Sequence, residues 1–372
     1  GRIVVSAQGI RDFDLLAGTD VVEGEELQRN LDGQIGEVLD SQPGVSASGF
    51  APGASRPILR GFSGERVKVL IDGIGAIDAS NTSDDHAVSI DALTAERIEV
   101  LRGPAVLLFG SQAIGGAVNV IDKRIPRRIP DEPIHVDVLA RGDTASDLRE
   151  FGASVDIPLF GESGLVGHVD GSWRKTNDLE IAGYQVGPQL RADLLADAAE
   201  EEEEGEFEEA EELREAAFQT GIIPNSGTET WTANAGLAFF RGDSNLGVSF
   251  GVYDSDYGVP GRPGAGHHHH GEEEEGHDEE DHEDEDHDHD DHDGEEHGEE
   301  GGAETVSIGM RQYRADLRGD IYLGEGFFER LRLRAGYSDY THTEFEGDEV
   351  GTVFDVQGIE ARLELVQNRN GP

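Results

Sequence analysis

The densest group of possible metal ligands lies between Gly266 and Gly301, where ten of the chain's fourteen histidines stand among twenty aspartates and glutamates. Neutral imidazole binds zinc, copper, nickel and iron, and His-rich tracts are typical of metal binding. Because protonation removes the ligand lone pair, capture should weaken as the pH falls toward about 6. The candidate ligands are His267, His268, His269, His270, His277, His282, His287, His289, His292 and His297.

This stretch has no apolar side chain to bury, so it cannot offset the cost of ordering its own backbone. We therefore expect an exposed loop that collects metal ions. A solvated acidic loop is the alternative interpretation. An expression tag would be an uninterrupted run at a terminus, whereas these histidines are interior and interleaved with acid.

The composition of the whole chain narrows the classes of function. Its 372 residues carry a formal net charge of −50, no cysteine and one methionine. The lack of cysteine excludes disulfides, thiolate zinc sites and cysteine catalysis, and it leaves no soft site for Cu(I). The excess of acid argues against nucleic acid as a partner, because phosphate binding needs Lys and Arg. No nucleophile, base and orienting group occur together, so we expect neither an enzyme nor a prosthetic group.

The first 125 residues alternate short strand patterns with turns. A short helix is predicted over Asp32–Leu39, and Ala87–Ile90 is strand-like. Gly110 and Gly115 have the spacing of a phosphate-binding loop, but no Lys-Ser/Thr pair follows, which argues against nucleotide binding.

Four segments of this region stand out together. They are Leu59-Arg60-Gly61-Phe62, Val69-Leu70-Ile71-Asp72-Gly73, Arg97-Ile98-Glu99-Val100-Leu101-Arg102-Gly103-Pro104 and Gly110–Ile121. Together they resemble the plug domain of TonB-dependent outer-membrane receptors. The resemblance implies a plug over residues 1–125, lodged in a 22-stranded barrel and powered through the TonB energy-coupling complex. It also implies that TonB grips the N-terminal run Ile3, Val4, Val5, Ser6 and Ala7.

His86 is the only histidine among the first 134 residues, and it follows two aspartates. A neighbouring carboxylate and imidazole can supply two zinc ligands, to be completed from elsewhere in the chain. An ordinary exposed loop histidine is the alternative. The run Asp84–Val88 resembles the zinc-uptake branch of these receptors, whose plug has a zinc-binding Asp-His pair at its outward apex. The resemblance thus implies Asp85 and His86 as zinc ligands.

Beyond residue 133 the side chains alternate with a period of two, apolar on one face and polar on the other, as a barrel between lipid and water requires. We predict a mainly β protein: an α+β plug, then residues 126–372 as about eight of 22 strands of a transmembrane antiparallel β-barrel. The chain is therefore expected to be incomplete. The predicted strands lie near residues 134–142, 149–157, 164–174, 228–240, 245–254, 305–322, 328–341 and 352–366.

Loop lengths predict the orientation, because outer-membrane barrels have short periplasmic turns and long outer loops. The two longest connections, an acidic loop at 175–227 and the His-rich loop at 255–304, fall on the same side. We therefore place both outside the cell and the plug N-terminus in the periplasm. A surface helix or helix pair is expected within Gln189–Phe218, and Tyr257–Gly264 is interpreted as a flexible neck.

The seventh connection contains His342 and Glu344, which share a face if the chain is extended. They are candidate ligands to complete an Asp85–His86 site. The alternative is an ordinary polar rim.

The preferred hypothesis is an outer-membrane, TonB-dependent importer of zinc, monomeric and surrounded by lipid, with zinc as cargo. The alternative is a TonB-dependent receptor for haem or a ferric siderophore. A passive metal-buffering or adhesive protein is the third possibility, and a plug domain argues against it. Nickel, cobalt and manganese remain open as cargo, because selectivity depends on geometry.

Overall fold

The computed structural model describes residues 19–261 and 305–368. The predicted TonB-contact run Ile3–Ala7 and the whole His-rich segment Gly266–Gly301 lie outside these ranges. Within them the chain forms a five-stranded sheet, an eight-stranded antiparallel sheet and two short two-stranded sheets.

The plug consists of the five-stranded sheet, with strand order β1-β6-β7-β4-β5, and the small β2-β3 pair. Its β4 and β7 strands are parallel, and the other neighbours are antiparallel. Its elements are β1 (Thr19–Glu23), α1 (Gly24–Arg29), α2 (Ile35–Leu39), β2 (Val45–Ala47), β3 (Pro57–Leu59), β4 (Val67–Ile71), β5 (Ile74–Gly75), β6 (Ala95–Leu101) and β7 (Gly116–Asp122).

The plug core lies between this sheet and its two helices. Val22, Val38, Ile98 and Val118 are fully buried there. The helix predicted over Asp32–Leu39 begins only at Ile35, because the Asp32 carboxylate accepts the Gln34 amide proton in a turn that precedes it.

The larger sheet follows the plug and has the order β17-β16-β15-β14-β13-β10-β9-β8, with all neighbours antiparallel. All eight predicted strands are present. The remaining elements in chain order are β8 (His135–Gly142), β9 (Arg149–Leu159), β10 (Leu165–Thr176), β11 (Leu179–Tyr184), α3 (Pro188–Glu204), α4 (Phe207–Phe218), β12 (Thr220–Ile223), β13 (Thr228–Arg241), β14 (Ser244–Val259), β15 (Val306–Tyr322), β16 (Phe328–Glu346) and β17 (Glu349–Gln367).

Side chains alternate along these strands, as the period-two pattern predicts. On the outer face Val138, Phe250 and Ile359 are exposed. On the inner face polar groups bind the plug: Arg314 donates to Gly75 O and Ala76 O at 3.0 and 2.8 Å. Side chains on the inner face of the sheet thus bind the backbone of the plug.

Two predicted loops are wrong, because strand pairing extends into them. Tyr257 lies in β14 and pairs with Ile308 of β15, so it is not part of a flexible neck. β16 continues to Glu346 and pairs with β17 across a short turn. His342 and Glu344 are therefore strand residues.

The strand-like run Ala87–Ile90 is not a strand. Its backbone turns instead: the Ile90 amide donates to Val88 O at 2.8 Å, and the Ser89 amide donates to the Asp78 carboxylate at 3.1 Å. These hydrogen bonds satisfy backbone amides that would otherwise pair with a neighbouring strand.

The acidic connection forms the predicted helix pair. α3 starts with Pro188 at its first position and ends at Gly205, whose positive φ of 95° suits glycine. Leu194 and Leu213 are buried between the two helices. No helix in the described ranges is long and apolar enough to cross a membrane.

Candidate metal centre

The plug loop between β5 and β6 carries Asp85 and His86. Buried Arg56 fastens this loop, because its guanidinium donates to Ser80 O and to the Asp84 carboxylate. The His86 side chain is only 1% exposed. The sequence therefore fixes a histidine inside the protein rather than on an open loop.

Strand β16 supplies the second half of the site. His342 and Glu344 are two residues apart, so the period of the strand places both on the face toward the plug. Nε2 of His86 lies 2.7 Å from Oε1 of Glu344, although the two residues are 258 positions apart. Nε2 of His342 lies 3.7 Å from the same oxygen.

These three residues form the group of potential metal ligands found in the described part of the chain, with their ligand atoms within 4.8 Å of one another. Asp85 stands beside them, with Oδ1 3.9 Å from Nε2 of His86. Tetrahedral zinc holds nitrogen and oxygen ligands at about 2.0–2.2 Å, which places those ligands roughly 3.3 Å apart. The observed separations bracket that value, so small side-chain shifts suffice to bind an ion.

Hydrogen bonds orient the ring of His86. The Thr82 hydroxyl donates its proton to Ala79 O at 2.7 Å. It can therefore accept from Nδ1 of His86, 2.7 Å away, and Ala79 O is also an acceptor for that nitrogen at 3.1 Å. Nε2 lies within hydrogen-bond distance of the Glu344 carboxylate, which only accepts, so without an ion the contact needs a hydrogen on Nε2, and a bound cation would take its place.

His342 is oriented in the same way. The Tyr340 hydroxyl is within hydrogen-bond distance of Nδ1 of His342, at 3.0 Å, and lies 3.7 Å from the Met310 sulfur. Nε2 of His342 is buried and has no hydrogen-bond partner in the described structure. This nitrogen is thus available to a cation.

Two imidazole Nε2 atoms and a carboxylate oxygen therefore converge on one point. A hydrogen bond joins His86 to Glu344 there, and a cation that replaced its hydrogen would find three ligand atoms around it. Phe354 packs edge-on against both imidazoles, with ring centroids 5.2 Å from His86 and 5.6 Å from His342. This apolar wall lowers the local dielectric and strengthens attraction for a cation.

The structure brings together the four non-loop candidates, Asp85, His86, His342 and Glu344. Sequence reasoning missed Thr82 and Tyr340, whose hydroxyls contact the two imidazoles. Tyr340 had a usable signal, because it lies two residues before His342 and so shares its strand face. Thr82 had none, since it lies in a turn of the plug loop.

Comparison with known proteins bears on the plug first. Residues 11–117 match the family model of the TonB-dependent Receptor Plug Domain. The vitamin B12 transporter BtuB of Vibrio vulnificus (strain CMCP6) is 32% identical over 110 residues, which cover 29% of this chain and 18% of that protein.

Solved structures extend the fold similarity to the larger sheet. The siderophore receptor PirA from Acinetobacter baumannii matches 96% of this chain with a TM-score of 0.54 and 17% identity. The copper transporter OprC matches 88% with a TM-score of 0.57 and 15% identity. The chain spans 45% and 38% of those two proteins, respectively. Residues 11–117 thus match the plug domain of TonB-dependent receptors, and the eight strands that follow share the fold of part of PirA and OprC.

Proposed function

We propose that the protein is an outer-membrane, TonB-dependent importer of a divalent metal, with zinc as the preferred cargo. The observation that carries this proposal is the convergence of two imidazole Nε2 atoms and a carboxylate oxygen at one buried site. His86, His342 and Glu344 are the inner ligands, and Asp85 is close enough to complete a tetrahedral set.

The donor chemistry supports zinc among divalent ions. Imidazole and carboxylate ligands suit zinc, whereas thiolate is absent and the single methionine already accepts a hydrogen bond from Tyr340. Nickel, cobalt and manganese use the same donors and are the competing cargoes. In this proposal the histidines between Gly266 and Gly301 collect metal outside the cell and raise its concentration near the inner site.

The division of the ligands suggests how the ion is released. Asp85 and His86 belong to the plug, and His342 and Glu344 belong to the barrel sheet. When TonB, acting through Ile3–Ala7, displaces the plug, the ion keeps at most two protein ligands. Loss of half of the ligands lowers the affinity of the site for the ion. Movement of the plug and release of the ion are therefore one event.

A chelate receptor is the second candidate, and the names of the similar proteins favour it over zinc. They include a siderophore receptor and a vitamin B12 transporter. The local geometry favours a bare ion, because ligand atoms within 4.8 Å of one another and two buried imidazoles leave no room for a chelator between them.

Uptake of radiolabelled zinc by cells with the full-length protein tests the proposal. The variants are Asp85→Ala/His86→Ala and, as a matched histidine control, His135→Ala at the start of β8. We expect the double variant and a proton uncoupler each to abolish saturable uptake, whereas the control transports normally.

Zinc uptake that is unaffected by both treatments would contradict the proposal. Parallel uptake assays with labelled ferric siderophore and haem separate the two candidates. Loss of chelate uptake with intact zinc uptake would favour the chelate receptor.

A further inference from the structure

One hydroxyl group from the barrel sheet holds the peptide groups on both sides of His86. The Tyr257 hydroxyl donates to Asp85 O at 2.8 Å and accepts from the Ala87 amide at 3.0 Å. Tyr257 is 3% exposed, and Ala87 is fully buried. These bonds connect β14 to the plug loop.

We infer that Tyr257 is a positioning residue for the proposed metal site, and that its hydroxyl links metal affinity to docking of the plug loop on the barrel. The inference rests on the proposed function and adds to it a residue that touches no metal. It acts on the main chain of residues 85–87, and through that chain on the direction of His86.

The position of the Tyr257 ring is itself closely defined. A Cβ atom added at Gly53 of the plug would lie 2.4 Å from the Tyr257 side chain, so glycine permits the close approach of the two parts. This close contact places the Tyr257 ring against the plug, and its hydroxyl then reaches both peptide groups at normal hydrogen-bond lengths.

Removal of the hydroxyl leaves a buried N–H and a buried carbonyl oxygen without this partner. An unsatisfied buried group costs about 1–3 kcal/mol, so the loop gains by turning these groups toward other partners. That rotation moves the imidazole of His86 away from Glu344 and His342. The side-chain volume hardly changes, because phenylalanine fills the same space.

Metal binding and plug docking must then affect each other equally, because coupling between two equilibria is reciprocal. Docking sets His86 in place and raises metal affinity. A bound ion bridges His86 to β16 and stabilises docking. The bond from the Ala87 amide to Tyr257 is therefore expected to open less often when zinc is present.

The test compares Tyr257→Phe with Tyr253→Phe in the purified full-length protein. Tyr253 belongs to the same strand and the same buried cluster, but its hydroxyl bonds to Ser255 and Thr230 of the barrel sheet. Each variant loses one buried hydroxyl. Zinc affinity by titration calorimetry and the absorption spectrum of bound cobalt(II) are measured for both.

We expect Tyr257→Phe to bind zinc roughly 10- to 100-fold more weakly, as for the loss of other groups that orient a metal ligand. Its cobalt spectrum should change as His86 leaves the ion, whereas Tyr253→Phe should match the native protein in both respects. A purely structural role would lower the melting temperature of both variants without altering the spectrum of the bound metal.

Native affinity and a native cobalt spectrum in Tyr257→Phe would overturn the inference while leaving metal import intact. A native protein that binds no zinc would instead overturn the proposed function. Hydrogen exchange in the unmutated protein gives a second test that does not depend on a variant. Zinc should slow exchange at the Ala87 amide, and unchanged exchange would also overturn the inference.

Discussion

Replacement of Glu344 by glutamine tests the electrostatic reasoning about the site most directly. The side chain keeps its shape and loses its negative charge. In the metal-free protein Nε2 of His86 lies within hydrogen-bond distance, 2.7 Å, of a carboxylate oxygen. A glutamine amide can also hydrogen-bond to Nε2, so the variant replaces a hydrogen bond to a charged group with one between neutral groups.

The expected effects on stability and on affinity therefore differ in size. A hydrogen bond between neutral groups contributes about 0.5–1.5 kcal/mol and one to a charged group about 1.5–3 kcal/mol, so the metal-free variant should lose only about 1 kcal/mol of stability. Loss of the charged interaction with a bound cation should cost about 1.5–3 kcal/mol. At 1.4 kcal/mol per tenfold change, zinc should bind roughly 10- to 150-fold more weakly.

Calorimetric zinc titration and melting curves with and without zinc measure both effects in the full-length protein. Glu346→Gln is the matched control, because Glu346 is exposed and lies two residues further along β16. It loses the same charge and should bind zinc normally. Equal affinities for Glu344→Gln and the native protein would refute the ligand role. A loss of metal-free stability larger than the loss of zinc-binding free energy would show that Glu344 acts mainly in the fold and would refute the electrostatic reasoning.

Two further perturbations test other parts of the molecule. Deletion of Gly266–Gly301 should leave the melting temperature unchanged and reduce zinc uptake mainly at low zinc concentration, because the segment has no apolar side chain; loss of folded protein on deletion would contradict this. Burial raises the pKa of Asp91 in the plug, against the lowering effect of hydrogen bonds from Ser172 and Leu93. Because the fold favours the protonated Asp91 carboxyl, Asp91 contributes to the free energy of unfolding at low pH. That contribution is lost as the pH rises through the folded-state pKa. Asp91→Asn should therefore melt at a higher temperature than the native protein near pH 7, and the difference should shrink as the pH falls toward about 4, where the unfolded chain is also protonated. A constant difference between about pH 7 and pH 4 would contradict the burial argument.

Local sequence patterns were sufficient for the strands. The period-two alternation predicted each of the eight barrel strands, and it placed His342 and Glu344 on one face. The same patterns failed at strand ends. Gly258 and Pro260 have the composition of a turn, but pairing of β14 with β15 continues to Val259. Hydrogen bonds to a neighbouring strand thus override a local preference for a turn.

The assembly of the site could not be read from local patterns. The contact between His86 and Glu344 depends on how the plug is inserted into the sheet, and no periodicity reports that. The resemblance to zinc-uptake receptors indicated Asp85 and His86, but it did not identify which barrel residues face them. Thr82 and Tyr257 act through hydrogen bonds that exist only once the tertiary structure has formed.

The proposed division of the ligands, two from the plug and two from the barrel sheet, has a consequence for biogenesis. A barrel whose plug has not yet entered presents only His342 and Glu344, and a free plug presents only Asp85 and His86. Two ligands hold an ion far less tightly than four, because the loss of each ligand forfeits its share of the binding energy. Tight metal binding would therefore mark molecules in which insertion is complete, and it would distinguish them from misassembled copies with the same secondary structure.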